Sequence, residues 1–200
     1  MLKVLGVTLD STLTFDDHAN NVVRSCNFHV RALWHLCPRL SLDVAKTMTA
    51  SIVGSRLDYC NALYYGAAQS TMNKLQRVQN NLARVVCDVS WRQAHSADLL
   101  RDFHWLPVRN LQSSKLRHCV IDHASMVNRH TFQVPLVPYT PSRNLRSSNS
   151  DRLNEPLARH ATGERRFSHY APRVCNSLPI TVRSASTLDT FKARLKTYLY

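Results

Sequence analysis

Three groups of side chains in this sequence have types that could carry chemistry. Phe15-Asp16-Asp17-His18 contains adjacent aspartates, the pair with which two-metal phosphoryl-transfer sites hold their ions. Those sites present the pair at the tip of a strand-turn-strand. Here the aspartates follow Thr14 in a Thr-x-x-Asp pattern, a variant of the capping box, which predicts the first turn of a helix. Carboxylates there complement the positive end of the helix dipole. Cys26, His29, His35 and Cys37 match a zinc quartet in composition only. On a wheel of about 100° per residue His35 points about 180° away from Cys26, whereas four ligands must converge on one ion. Cys60, after Asp58-Tyr59, has the chemistry of a nucleophile. Nothing in the sequence places a base beside it, and a thiol packed between helices is the expected role. No catalytic residue, metal site, cofactor or small-molecule substrate is predicted.

Basic side chains carry a stronger signal. The 200 residues hold 26 Lys+Arg against 13 Asp+Glu, a formal net charge of +13. The excess is uneven: residues 1–100 carry 10 basic and 7 acidic side chains (10 − 7 = +3), residues 101–200 carry 16 and 6 (16 − 6 = +10). An excess of this size favours a polyanionic partner, and an arginine-rich half suits bidentate phosphate contacts. The most informative stretch is a helix predicted from Ser70 to about Val86. Leu75, Val78, Leu82, Val85 and Val86 fall on one side of it. Lys74, Arg77 and Arg84 gather on another, with Asn80 and Asn81 between them and the two stripes about 140° apart. Such a helix packs by one side, and the other is either a solvated face or lies along a phosphate backbone. Lys74, Arg77 and Arg84, with Arg143, Arg146, Arg165 and Arg166 from the second half, are the candidate nucleic-acid contacts.

The elements that must position these residues read as mostly helical. Gly is scarce at four, which argues against a many-stranded barrel. Leu2 to Leu9 reads as a strand running into a turn. A helix from Thr14 to Pro38 would turn Phe15, Ala19, Val22, Val23, Cys26, Val30, Leu33, Trp34 and Cys37 toward a core in one stripe about 120° wide. Ser41 is expected to cap the next helix, with Leu42, Ala45, Met48, Ile52 and Val53 inward, before a break near Gly66. Helical stretches are predicted at 96–103 and, with Pro107 in its first turn, at about 107–127. After Arg129 the composition shifts: residues 130–180 hold six prolines with many Ser, Asn and Arg. This predicts irregular structure with short strands around 143–147, 152–158 and 165–170, and a brief helix started by Ala171-Pro172 and ended by Pro179, with Phe167, Val174 and Leu178 inward. A last helix is expected from Ser186-Thr187-Leu188-Asp189, with Leu188, Phe191, Leu195, Tyr198 and Leu199 on one face. The expected fold class is therefore mostly α, a helical bundle at 1–127 and a smaller irregular α+β basic tail at 128–200. No run approaches eighteen apolar residues, so no membrane span is predicted. The six cysteines form no CxxC pair, and Asp10 interrupts the N-terminal apolar run too early for a signal peptide. Both predict reduced thiols in an intracellular chain, in cytoplasm or nucleus.

Six blocks, in order, carry a family resemblance: LGVTLDSTLTFDDH, SRLDYCNALYYG, LQRVQNNLARVV, FHWLPVR, YTPSRNLRSS and RRFSHYAPRVCNSLP. Together they resemble the C-terminal stretch of non-LTR (LINE-type) retrotransposon polyproteins of the Jockey and chicken-repeat kind, over about Leu5 to Tyr200. The resemblance implies that Leu5-Gly6-Val7 ends the reverse transcriptase palm, near the hairpin that steadies the primer terminus. It implies that the helices from Thr14 to about Val86 form the thumb, which holds template–primer duplex. The family's Phe-Ala-Asp-Asp pair lies before the Leu-Gly-Val block, so the resemblance implies a chain that by itself does not polymerise. Val4 stands where the family usually has an aromatic residue, and Cys175 where it usually has Trp. The stretch around 128–138 is shortened. The implied partner is an RNA/DNA template–primer. The alternatives are an inert remnant of a decayed element and a domesticated basic helical DNA-binding protein.

Overall fold

The computed structural model describes residues 2–90, 92–112, 137–141, 152–158, 160–164, 166–185 and 187–199. The chain is mostly helical and divides into two compact units, 1–112 and 113–200. The boundary expected after residue 127 falls outside the described residues.

The first unit opens with a hairpin where the sequence suggests one strand. Strands β1 (Leu2–Val4) and β2 (Val7–Leu9) pair antiparallel, Val4 opposite Val7. Leu5 (φ 47°) and Gly6 (φ 81°) both adopt left-handed backbone, the geometry of a tight two-residue turn. Gly6 supplies this freely; Leu5 is held in it by Tyr59, whose hydroxyl donates to the Leu5 carbonyl at 2.6 Å.

Helix α1 (Asp16–Leu36) starts two residues after the expected cap at Thr14. Its N-cap is Phe15, in left-handed conformation. The organiser of this start is Asp10, whose carboxylate accepts the backbone N–H groups of Thr12, Thr14 and Phe15 at 2.8–3.0 Å and both threonine hydroxyls. These donors favour the charged form and hold the Asp10 carboxyl far below the usual carboxylate range. Thr14 therefore serves the loop rather than the helix. Cys37–Arg39 form a single 3-10 turn at Pro38, as a proline stop requires.

Helix α2 (Leu42–Thr49) continues through a wide π turn, Ala50–Gly54, into α3 (Ser55–Asp58). Ser41 is the N-cap, without a side-chain cap bond. Ala45, Thr49 and Val53 are buried, whereas Leu42, expected inward, is half exposed. Side chains tilt toward a helix's N-terminus, so the first residue projects past the end of the packed face. A 3-10 segment, Asn61–Tyr64, leads to the left-handed Gly66 and then to α4 (Gln69–Cys87). Leu75, Val78, Leu82 and Val86 of α4 are buried, and Val85 packs partly against the same core. That core joins α4 to Ala19, Cys26, Val30 and Leu33 of α1 and to Val53, Leu57 and Tyr64. Each buried Val or Leu among these contributes about 1.5–3 kcal/mol relative to exposure. Trp34, expected in this core, is instead 58% exposed.

Helix α5 (Ser96–Asp102) packs Leu99 and Leu100 on Ala83. The chain then crosses α4 along its glutamines. Gln79 Nε2 donates to the Leu106 carbonyl at 2.9 Å, and Gln76 Oε1 accepts the Val108 N–H at 2.9 Å. Residues 108–112 begin the helix expected at Pro107, and the rest of it lies outside the described residues.

In the second unit the short helix α6 (Ala161–Glu164) precedes α7 (Phe167–Asn176), then α8 (Ile180–Arg183) and α9 (Leu188–Leu199). The strand expected at 165–170 is thus corrected to helix. Tyr170, Ala171, Val174, Cys175 and Leu178 recur at helical spacing and are all buried, and this burial carries the helix past Pro172. The strand expected at 152–158 is reduced to one antiparallel bridge, Pro138 to Leu153; the one at 143–147 lies outside the described residues. Asn176 fastens this segment to α7, exchanging bonds with the Leu153 N–H and carbonyl at 2.9 and 2.8 Å. Leu178, Val182, Phe191 and Leu195 form this unit's core. At the start of α9 Thr187 Oγ1 accepts the Thr190 N–H at 3.2 Å, and Ser186 lies outside the described residues. Tyr198, expected on the inner face, is half exposed.

Candidate nucleic-acid interface

Helices α1 and α4 lie side by side and run in the same direction. At their N-terminal ends the Thr71 hydroxyl donates to the Asp16 carboxylate. One turn on, Lys74 Nζ donates to Asn20 Oδ1 at 2.9 Å. Near their C-terminal ends Val30, Arg31 and Trp34 of α1 share a hollow with Asn81, Arg84 and Val85 of α4. The seam therefore carries a carboxylate only at its start. Asp16 and Asp17 sit in the first turn of α1.

Three of the candidate residues line this face of α4. Lys74 and Arg77 are exposed, and Arg84 is half buried. Arg84 reaches Asn81 Oδ1 at 3.5 Å, while its Nε is buried with no hydrogen-bond partner among the described residues. None of Arg31, Lys74, Arg77 and Arg84 pairs with a carboxylate among the described residues, whereas Arg101 pairs with Asp98 at 3.6 Å. Unneutralised cations along one helix are what a phosphate backbone would pair with. The opposite edge of α4 is occupied by Gln76 and Gln79, so the helix has one free polar face. Of the candidates in the second unit, Arg166 is exposed at the N-cap of α7. Arg143, Arg146 and Arg165 lie outside the described residues.

A second cleft, of about 800 Å³, lies between the hairpin, α1 and α3. Lys3, Arg56, Ser25, Ser55 and Tyr59 line it with His18. His18 is buried, accepts the Thr8 N–H at Nδ1 (3.4 Å), stacks on Tyr64, and leaves Nε2 without a partner among the described residues. Desolvation lowers its pKa below the ordinary histidine value and pushes the Tyr64 phenol up. Sequence reasoning missed His18 as a core residue, because its neighbours Asp16 and Asp17 draw attention to the polar side of the turn.

The cysteines carry no site among the described residues. Cys26 and Cys37 are buried; His35 is exposed and packs against Trp34. Burial pushes the Cys26 thiol up to about 11. Cys60 packs partly against the core, in left-handed backbone. Among the described residues no group of three or more His, Cys, Asp or Glu could hold a metal ion, and no helix is long and apolar enough to cross a membrane.

The described residues thus form a mostly helical, basic chain in which one face of α4 has no carboxylate partner among them. Comparison with known proteins gives the class. The chain is 32% identical over 131 residues to the RNA-directed DNA polymerase from mobile element jockey of Drosophila melanogaster, a match covering 64% of this chain and 14% of that protein. It is 33% identical over 92 residues to the corresponding polymerase of Drosophila funebris, covering 44% of this chain and 10% of that protein. This chain is a region related to the reverse transcriptases of non-LTR retrotransposons. It spans between about a tenth and a seventh of the length of the curated relatives it matches. No family model and no solved structure matches it.

Proposed function

We propose that this chain is a non-catalytic, thumb-like region of a retrotransposon RNA-directed DNA polymerase that binds the template–primer. The observation that carries the reading is the α1–α4 seam, where Lys74, Arg77 and Arg84 stand on one helix without carboxylate partners among the described residues. Lys74 and Arg84 are ten residues apart, about 15 Å along the axis, the rise of about four nucleotides. Rigid helices present these charges at fixed spacing, while the buried side of α4 holds them in place. Arg143, Arg146, Arg165 and Arg166 are the further candidate contacts in the sequence of the second unit. The chemistry of nucleotide addition belongs to aspartates outside this region. The test is binding of a labelled RNA–DNA hybrid by the full chain across a salt series. A steep loss of affinity with salt supports the reading, and replacing Lys74, Arg77 and Arg84 together by Gln removes it. A flat salt response, or unchanged affinity in the triple variant, overturns it.

A further inference from the structure

The hollow at the C-terminal end of the α1–α4 seam has a makeup that phosphate binding alone does not explain. It is a shallow depression open to solvent, of about 340 Å³, small among ligand clefts. Val30 and Val85 give it an apolar floor, Trp34 an indole, Asn81 an amide, and Arg31 and Arg84 two guanidiniums. Trp34 is 58% exposed, although an indole placed four residues past the buried Val30 could have closed against the core. The Arg84 Nε is buried beside it and unpartnered. No acidic residue among the described residues lines the hollow.

We propose that this hollow is a nucleobase-binding pocket for an unpaired nucleotide, with Trp34 stacking the base and Arg31 and Arg84 holding its flanking phosphates. Two cations without a counter-charge select an anion. The indole and the valine floor select a flat, apolar ring attached to it, and the Asn81 amide can both donate to and accept from a base edge. An acidic peptide would satisfy the guanidiniums but leave the indole exposed. A duplex end or a single-stranded overhang supplies the unpaired base, whereas paired bases inside a duplex present no free face. The pocket rests on the nucleic-acid reading above and adds a preference for bases over bare backbone.

The experiment compares two labelled twelve-residue strands of equal charge, oligothymidylate and an abasic deoxyribose phosphate, binding to the full chain by fluorescence anisotropy. Wild type is expected to prefer oligothymidylate by at least about fivefold, the lower end of what one base–aromatic stack gives. Trp34→Ala is expected to bind the abasic strand as wild type does and to lose the preference, while Trp34→Tyr retains it. Because Trp34 is exposed, circular dichroism is expected to be unchanged in both variants. Equal binding of the two strands by wild type, or a preference that survives Trp34→Ala, overturns the pocket and leaves the salt-dependent grip standing. Polyglutamate competing as well as oligothymidylate also overturns it. Failure to bind either strand at low salt sinks both readings.

Discussion

If the free face of α4 grips phosphates, neutralising its cations one at a time must change the salt dependence by a countable amount. Each lost phosphate contact removes about 0.9 from the slope of log affinity against log salt. Between 50 and 200 mM salt, a fourfold change, this is ~3.5-fold in relative affinity per contact and ~40-fold for three. The structure specifies which substitutions count. Lys74→Gln and Arg77→Gln alter exposed side chains and leave the core alone. Arg84→Gln is preferred to a glutamate there, because Arg84 is half buried beside Val30 and Val85 and a carboxylate would be desolvated. Asn20→Ala is the neutral control: it frees Lys74 from its 2.9 Å bond without changing any charge, so the slope is expected to stay fixed. Arg101→Gln is the basic control, since Arg101 lies on α5 already paired with Asp98. Binding isotherms of an RNA–DNA hybrid at four salt concentrations give the slopes. The reasoning is refuted if the three α4 variants keep the wild-type slope, or if Arg101→Gln lowers it as much as Arg77→Gln does.

Other expectations concern the scaffold. Gln79→Leu strands the Leu106 carbonyl and is expected to cost about 1–3 kcal/mol in urea unfolding. Leu82→Ala removes a fully buried side chain between α1 and α4 and is expected to cost about 2–5 kcal/mol, with the denaturant slope unchanged. His18 is held neutral in the fold, so the unfolded chain takes up its proton first. Its contribution is complete above about pH 6.5 and falls with acidification, and His18→Gln is expected to flatten the limb of melting temperature between pH 6.5 and 5. Asp10 has the carboxylate sign: its contribution is present above its ordinary value of 3.8 and is lost as pH falls below it. Asp10→Asn is expected to lower the melting temperature at pH 7 and to narrow the gap from wild type at pH 3.

The helical faces were legible because burial repeats with the helix period. Ala19, Cys26, Val30 and Leu33 on α1, and Leu75, Val78, Leu82 and Val86 on α4, all lie where a wheel puts them. What the wheel hides is the width of the contact. Trp34 and Tyr198 lie toward the margins of their stripes, where a neighbouring helix no longer covers a large ring, and both are about half exposed. The turns were less legible, since Leu5, Phe15 and Cys60 hold left-handed backbone without being glycine. Long-range bonds from Tyr59 to Leu5, and from Asp10 across its loop, hold the first two, and no window of local sequence contains the first of these. In the second unit the brief helix expected to start at Ala171-Pro172 begins earlier, at Phe167, because the buried run from Tyr170 to Leu178 carries helix through Pro172. The candidate site shows the same division. The cations of α4 could be read from spacing alone, because they need only one helix. The hollow at Trp34 could not, because it exists only where α1 and α4 run in the same direction and bring Arg31 and Arg84 to one place. A helix pair packed antiparallel would set Trp34 beside Thr71 and scatter the same residues. The direction of packing, more than the composition of either helix, therefore decides whether this face can do more than attract phosphate.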